Sequence, residues 1–526
     1  MKKFIIIAVL VALAITGGLL IRQPAIEAQY TAASFMPQEE NLSNIFLTGF
    51  EDIGKGMEKT AETMDFVSSL FKDLYPETDQ ANALAREISW KLKEFAPLVK
   101  DSLFMLSIKP DGMSVQPRFW GALGIDSSEP EELIDTFLDQ LVQTNPDIVM
   151  FPYTIDLGAA AESLYQLMDT DTGVTLFTAL YKSEPSYVIA STSEQSLAKM
   201  IEAAKDEEIR YVPKRHYQHE NFIYATIDNQ TLRMFVKEEE ATIHSDEPLV
   251  FDTAFYTEGN DSVMKIYSNA ARLFMDSEKI RNMSFVPGTQ NFYGGDRILG
   301  FILGKMKGLD RDYVKSLLAG PENQDTREDL NEIERTYGIT LQNIIDLFTG
   351  EASIVMGGKA GSVIGRIPGL YLSLRPEKED IATKFASLFP NLGMGLPVNE
   401  IPLEGWERAY SMNQFITLTV ASRKNELLLG ILDAYGLNNP SEIPENLQPF
   451  LERENYGLLA ISVKDMLPVL NDLFIMAQSF KPDPSLATGR VIMNRLLEGI
   501  ETFSCVSLSP EEAELKISYR EKIEQE

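Results

Sequence analysis

The segment KRHYQHE, residues 214–220, holds two of the chain's three histidines, His216 and His219, together with Glu220. On a helix, positions i and i+3 share a face, so this trio would offer the nitrogen and oxygen donors that zinc takes. The spacing is not HExxH, and no further ligand stands at a defined distance. We therefore read the segment as a polar loop before a strand at 221–227. No metal and no cofactor are expected, and His216, His219 and Glu220 are the residues that would ligate a metal if one were held. His244, the third histidine, stands alone in the turn of a later hairpin.

Four other segments resemble catalytic signatures and fall short of them. DTG at 171–173 is the turn of aspartic proteases, which need two carboxylates sharing one proton. The corresponding part of the second half, RAYSMNQFITL at 408–418, has no such Asp, so DTG reads as a hairpin turn. GFEDIGKG at 49–56 has phosphate-loop spacing, but Gly56 stands where the magnesium-binding hydroxyl belongs. In GKAGSVIGR at 358–366, Ser362 lacks the Gly-x-Ser-x-Gly symmetry, and no histidine follows His244 to serve as its base. Cys505, the only cysteine, lies in the alternating stretch ETFSCVSLS and is expected on the buried face of a strand as an inert thiol. The chain is accordingly read as a non-enzyme.

The elements that would position these residues follow from the larger pattern. At 526 residues the chain exceeds one ordinary core, and 44% hydrophobic residues suffice for packed domains. A net charge of −31 repels phosphate backbones, so no nucleic-acid partner is expected. Residues 1–28 place Lys2 and Lys3 before the uncharged stretch 4–21, which reads as a signal peptide or membrane anchor. Residues from about 29 onward are then expected outside the cytoplasmic membrane, with 4–21 as the membrane contact if the segment is retained.

Laying the second half over the first brings out a repeat. SFMP at 34–37 matches SFVP at 284–287, and LFTALYKSEPSYVIAST at 176–192 matches the hairpin FITLTVASRKNELLLGI at 415–431. Strand, Pro-Glu turn and helix recur at 119–137 and 369–385, pairing Phe137 with Phe385, and Phe95 pairs with Phe348. The strand entries at Glu220-Asn221 and Glu454-Asn455 match as well, and Tyr256 is set against Tyr519 near the ends. The reading is α+β: module one at 34–258, an amphipathic connecting helix at 259–283, and module two at 284–526. Each module is a mainly antiparallel sheet with helices on one face, and module two has additional helices at 310–338, 464–478 and 485–501.

With the export segment, the paired modules, ITLQNIIDLFTGEASIVMGG at 339–358 and LYLSLRPEKEDIATKFASLF at 370–389, the chain resembles an uncharacterised family of bacterial envelope proteins carrying a domain of unknown function in two divergent copies. The resemblance implies location and fold and no catalytic residue. The expected function is binding or scaffolding in the envelope, towards a protein partner. The alternatives are a carrier of an apolar ligand or lipid held between sheet and helices, and a periplasmic hydrolase built from dispersed carboxylates.

Overall fold

The computed structural model of the protein describes residues 30–38, 43–48, 99–111, 114–144, 147–171, 173–219, 221–235, 245–274, 283–289, 291–307, 324–362, 365–392, 397–413, 416–480 and 484–520. The export segment 1–28, the phosphate-loop-like 49–56, Phe95, Glu220 and His244 lie outside the described residues. Among the described residues no helix is long and apolar enough to cross a membrane. The chain is mainly antiparallel sheet with interspersed helices, an α+β protein. It divides into two compact units, the first comprising Met1–Phe274 with Lys481–Leu496 and the second Met275–Phe480 with Leu497–Glu526.

Among the described residues ten strands belong to the first unit: β1 (Ser43–Thr48), β2 (Val99–Asp111), β3 (Ser114–Ile125), β4 (Ile148–Pro152), β5 (Ala161–Asp169), β6 (Thr175–Tyr181), β7 (Ser186–Ser191), β8 (Ile223–Ile227), β9 (Leu249–Glu258) and β10 (Asp261–Ser268). All pairings are antiparallel, in the order β10-β9-β8-β1-β2-β3-β7-β6-β5-β4. The second unit holds β11 (Ile298–Lys307), β12 (Thr349–Ser362), β13 (Gly365–Pro376), β14 (Val398–Glu400), β15 (Arg408–Asn413), β16 (Thr417–Arg423), β17 (Glu426–Ile431), β18 (Gly457–Ser462), β19 (Ile500–Ser507) and β20 (Glu512–Tyr519). Its order is β20-β19-β18-β11-β12-β13-β17-β16-β15-β14, the same succession strand for strand.

Two expectations are corrected here. The connecting helix at 259–283 is not formed over its first part: 261–268 is β10, paired with β9 from Asp261↔Glu258 to Ser268↔Phe251. Val263, Met264 and Ile266 suit either a helix face or a strand, and the two-residue turn Gly259-Asn260, with Gly259 at φ 60°, decides for the hairpin. Among the described residues of that stretch, Ala270–Phe274 is helical. In consequence Tyr256 lies on β9 and Tyr519 on β20, which hold different places in the two strand orders.

The helices cover both faces of each sheet, not one. In the first unit α1 (Pro130–Thr144) brings Ile134 and Leu138 against Val188, while α2 (Glu194–Lys205) brings Leu197, Met200 and Ile201 into a cluster with Tyr187 and Ile189. Neighbouring residues of β7 point to opposite faces, so the two helices lie on opposite sides. In the second unit Leu427 packs with Ile381 and Ala382 of α3 (Ile381–Ala386), and Leu428 with Leu437 of α4 (Ala434–Asn438). The continuous apolar run of β17, ELLLGI, is the sequence mark of a strand buried on both sides.

The α3 face is not fully covered. Leu459, Ile302, Ile354, Leu372 and Leu429 stand in direct register across five neighbouring strands, and Ile302 and Ile354 are 47% and 44% exposed. Of the extra helices read at 310–338, 464–478 and 485–501, helices are formed at Gln324–Tyr337, Val463–Phe480 and Pro484–Leu497, with strand β19 beginning at Ile500.

Candidate ligand-binding cleft

The β16–β17 hairpin of the second unit places Arg423 directly opposite Glu426 at its tip. The Glu426 side chain is only 2% exposed. A carboxylate so placed is tolerated only if its oxygens are engaged. Ser373 Oγ donates to Oε1 at 2.8 Å, with Arg375 Nε 3.5 Å from the same oxygen. The Tyr293 hydroxyl donates to Oε2 at 3.0 Å, and Arg423 Nε donates to it at 2.7 Å. Arg423 Nη2 donates in turn to the Tyr293 hydroxyl at 2.5 Å, closing a ring of three side chains.

Tyr293 arrives from the loop before β11, in the phrase NFYGGD. Gly294 and Gly295 have φ of 131° and 66°, and a side chain at Gly294 would meet Gly358 Cα at 2.7 Å. These glycines let the loop close onto α4, where the Gly294 N–H donates to the Gly436 carbonyl at 2.9 Å. The backbone N–H of Tyr293 donates to the hydroxyl of fully buried Tyr371 at 2.7 Å. Burial, and next the charge of Glu426, push the Tyr293 phenol well above its ordinary range, so it remains a protonated donor. Trp406, in the turn before β15, completes the group: its ring lies 5.5 Å from that of Tyr293 and 5.3 Å from the Arg423 guanidinium carbon.

Beside this cluster opens a cleft of about 420 Å³, lined among others by Asn291, Tyr293, Trp406, Arg423, Asn438 and Ser441. That volume falls in the range of small-molecule sites. The chemistry on offer is recognition. The Glu426 oxygens are occupied by donors, the phenol holds its proton, and the cleft presents a guanidinium, an indole, amides and the carboxylate of Glu404.

The first unit fills the same station differently. Its β6–β7 hairpin sets Tyr181 opposite Tyr187, where β16–β17 sets Arg423 opposite Glu426. Phe35, from the SFMP phrase, lies 4.8 Å from the Tyr187 ring and 5.1 Å from the Tyr181 ring, and the Tyr187 hydroxyl donates to the Tyr30 carbonyl at 2.8 Å. Phe35 is wholly buried, so this station is an aromatic plug.

The residues singled out from the sequence lie elsewhere. His216 stacks on Tyr267 at 4.2 Å and His219 on Tyr256 at 4.6 Å, each nearly parallel. Tyr256 pairs with Val263 and Tyr267 with Asp252, so the two tyrosines are offset by four residues along the hairpin. At the rise of a strand that is about 13 Å, which seats the two imidazoles apart. Burial, then Lys265 and Arg215, hold the His219 imidazole below its ordinary range. Among the described residues no group of three or more His, Cys, Asp or Glu is placed to hold a metal ion.

Asp171 and Gly173 sit in the β5–β6 hairpin turn, with the Gly173 N–H donating to the Asp169 carbonyl at 2.7 Å. Ser362 closes the β12–β13 hairpin opposite Gly365. Cys505 is on the opposite side of β19 from the expected one: Thr502, Ser504 and Val506 are buried, while Cys505 shares the half-buried side with Phe503. Burial still pushes its thiol up, away from thiolate.

Arg423, Glu426, Tyr293 and Trp406 were missed by motif reading. RKNE at 423–426 has the composition of any polar hairpin tip, and the partner that buries Glu426 stands 133 residues away. Phe292-Tyr293-Gly294-Gly295 was the available signal, an aromatic pair tied to two turn glycines. No protein-family model, curated protein or solved structure matches this chain.

Proposed function

We propose that this chain is a non-catalytic binding protein of the bacterial envelope, built from two copies of one ten-stranded unit and taking its ligand in the cleft of the second. The common strand order supports the two copies. Residues 1–28 export the chain, and 4–21 tether it to the outer face of the cytoplasmic membrane when that segment is retained. The observation that carries the reading is the contrast at one station: Tyr181 and Tyr187 seal it in the first unit, whereas in the second Arg423, held by buried Glu426, lines an open cleft. A buried charge network that stabilised only the fold would need no open side, and the aromatic plug does that work without charges.

Native mass spectrometry of gently extracted protein tests this. A co-purifying molecule or partner present on the natural chain and lost from Trp406→Ala is the expected result. Bare masses for both proteins would count against it.

A second reading, a carrier of an apolar ligand or lipid, draws on the exposed aliphatic row through Ile302 and Ile354. For that reading the co-purifying mass would be a lipid, retained by Trp406→Ala and lost from Ile302→Asp.

A further inference from the structure

The geometry points to a small monocarboxylate with a planar or apolar body as the ligand of the Trp406 cleft, its carboxylate received by the outer nitrogen of Arg423. This rests on the binding-protein reading above. Arg423 spends Nε on Glu426 and Nη2 on the Tyr293 hydroxyl, and Nη1 makes no hydrogen bond among the described residues. Two N–H donors therefore remain on a guanidinium that is already held in place by Glu426 and Tyr293 and flanked by two rings. The side chain is 34% exposed, so this edge is accessible from the cleft that it lines. An Nη1 N–H donates to a carboxylate oxygen as a charge-assisted hydrogen bond, and prior fixing of the side chain lowers the entropy lost on binding.

Charge selects within the anions. Among the described residues Glu426 is the only carboxylate paired with Arg423, and it is shared with Arg375, which also lies 3.8 Å from Glu351. Glu404 also lines the cleft and the chain carries a net charge of −31, so the one open guanidinium edge accepts a single negative charge more readily than a phosphate dianion, which the surrounding field repels more strongly. Trp406, Leu437, Pro440 and Ile443 give the cleft apolar walls, and the amides of Asn291 and Asn438 supply neutral polar contacts for the rest of the molecule. The first unit has tyrosines at both positions of the pair, so one ligand binds per chain.

Isothermal titration of the full chain in mild detergent with indole-3-acetate, its neutral analogue indole-3-acetamide, and inorganic phosphate tests the assignment. Indole-3-acetate is expected to bind with a stoichiometry of one, at least about tenfold more tightly than the acetamide, and to weaken as salt rises. Phosphate should give no heat. Arg423→Lys keeps a cation beside Glu426 while removing the second fixed nitrogen, and is expected to weaken binding about tenfold with the fold intact by circular dichroism. Trp406→Ala, which removes no charge, should weaken it by a comparable factor, so the test survives if the arginine variant unfolds. Equal affinity for acetate and acetamide, or preference for phosphate, would overturn the assignment. A co-purified ligand that depends on Trp406 but carries no carboxylate would overturn it and leave the binding-protein reading standing. Loss of every Trp406-dependent ligand would overturn both.

Discussion

Arg215 meets Asp252 at 2.8 Å with both side chains nearly excluded from solvent, 8% and 0% exposed. The pair organises the whole of 214–219. Asp252 Oδ2 accepts the backbone N–H of His216 at 2.7 Å and of Tyr217 at 3.1 Å, while Arg215 donates to the carbonyls of His219 and Thr253 and stacks over Phe222. Removing one member of such a pair leaves a buried charge uncompensated, at a cost of about 3–5 kcal/mol. Asp252→Ala is therefore expected to lose about that much in urea melts and to expose 214–219 to proteolysis, with Asp252→Asn less affected because its amide oxygen still accepts. A loss below about 1 kcal/mol for Asp252→Ala would show that the pair does not hold the loop.

Of the two histidines it positions, His219 is expected to matter for pH, and neither for metal. His219 titrates below its ordinary value of 6.5 in the folded chain, so the unfolded chain binds the extra proton first. Stability contributed by neutral His219 is then complete above about pH 6.5 and declines as pH falls towards the folded value. His216→Gln with His219→Gln should flatten the stability profile below that pH and leave zinc content by elemental analysis unchanged. A stoichiometric zinc lost in the double variant would contradict the stacked geometry.

The sequence showed the larger architecture more readily than the site, and the reason is range. Hairpins such as β6–β7 and β16–β17 are written locally, in alternating apolar runs around polar turns, and both were legible. The hairpin at 249–268 was missed because an amphipathic helix and a half-buried strand place Val263 and Ile266 equally well, and its Gly-Asn turn was passed over. Helices on both faces were hidden for a similar reason, since no local rule assigns Leu427 to α3 and Leu428 to α4. The cleft depends on Tyr293, Trp406 and Glu426, which are brought together only by strand order.

The proposed export through residues 1–28 places a further expectation on the N-terminus. Lys2 and Lys3 precede the uncharged stretch 4–21, which favours retention of the positive end in the cytoplasm. An alkaline phosphatase fused after residue 526 should be active in a bacterial host, and Lys2→Glu with Lys3→Glu should reduce that activity. An inactive fusion whose cytoplasmic reporter counterpart is active would refute the orientation.

Two glycines beside the cleft separate backbone strain from crowding. Gly405, next to Trp406, has φ 81° and open space where a side chain would go. Gly358, under the Tyr293 loop, has φ 68°, but a Cβ there would lie 2.4 Å from Gly294 Cα. Gly405→Ala should cost only the left-handed penalty, about 1–2 kcal/mol. Gly358→Ala adds a backbone clash to the same penalty, and overpacking of that kind costs about 1–3 kcal/mol more. Because the displaced Gly294 is bonded to Gly436 and adjoins Tyr293, the second variant should also weaken any Trp406-dependent ligand, as measured by the same titration. Equal destabilisation by the two substitutions would mean that the glycine contact at 294 and 358 does not fix the tyrosine loop.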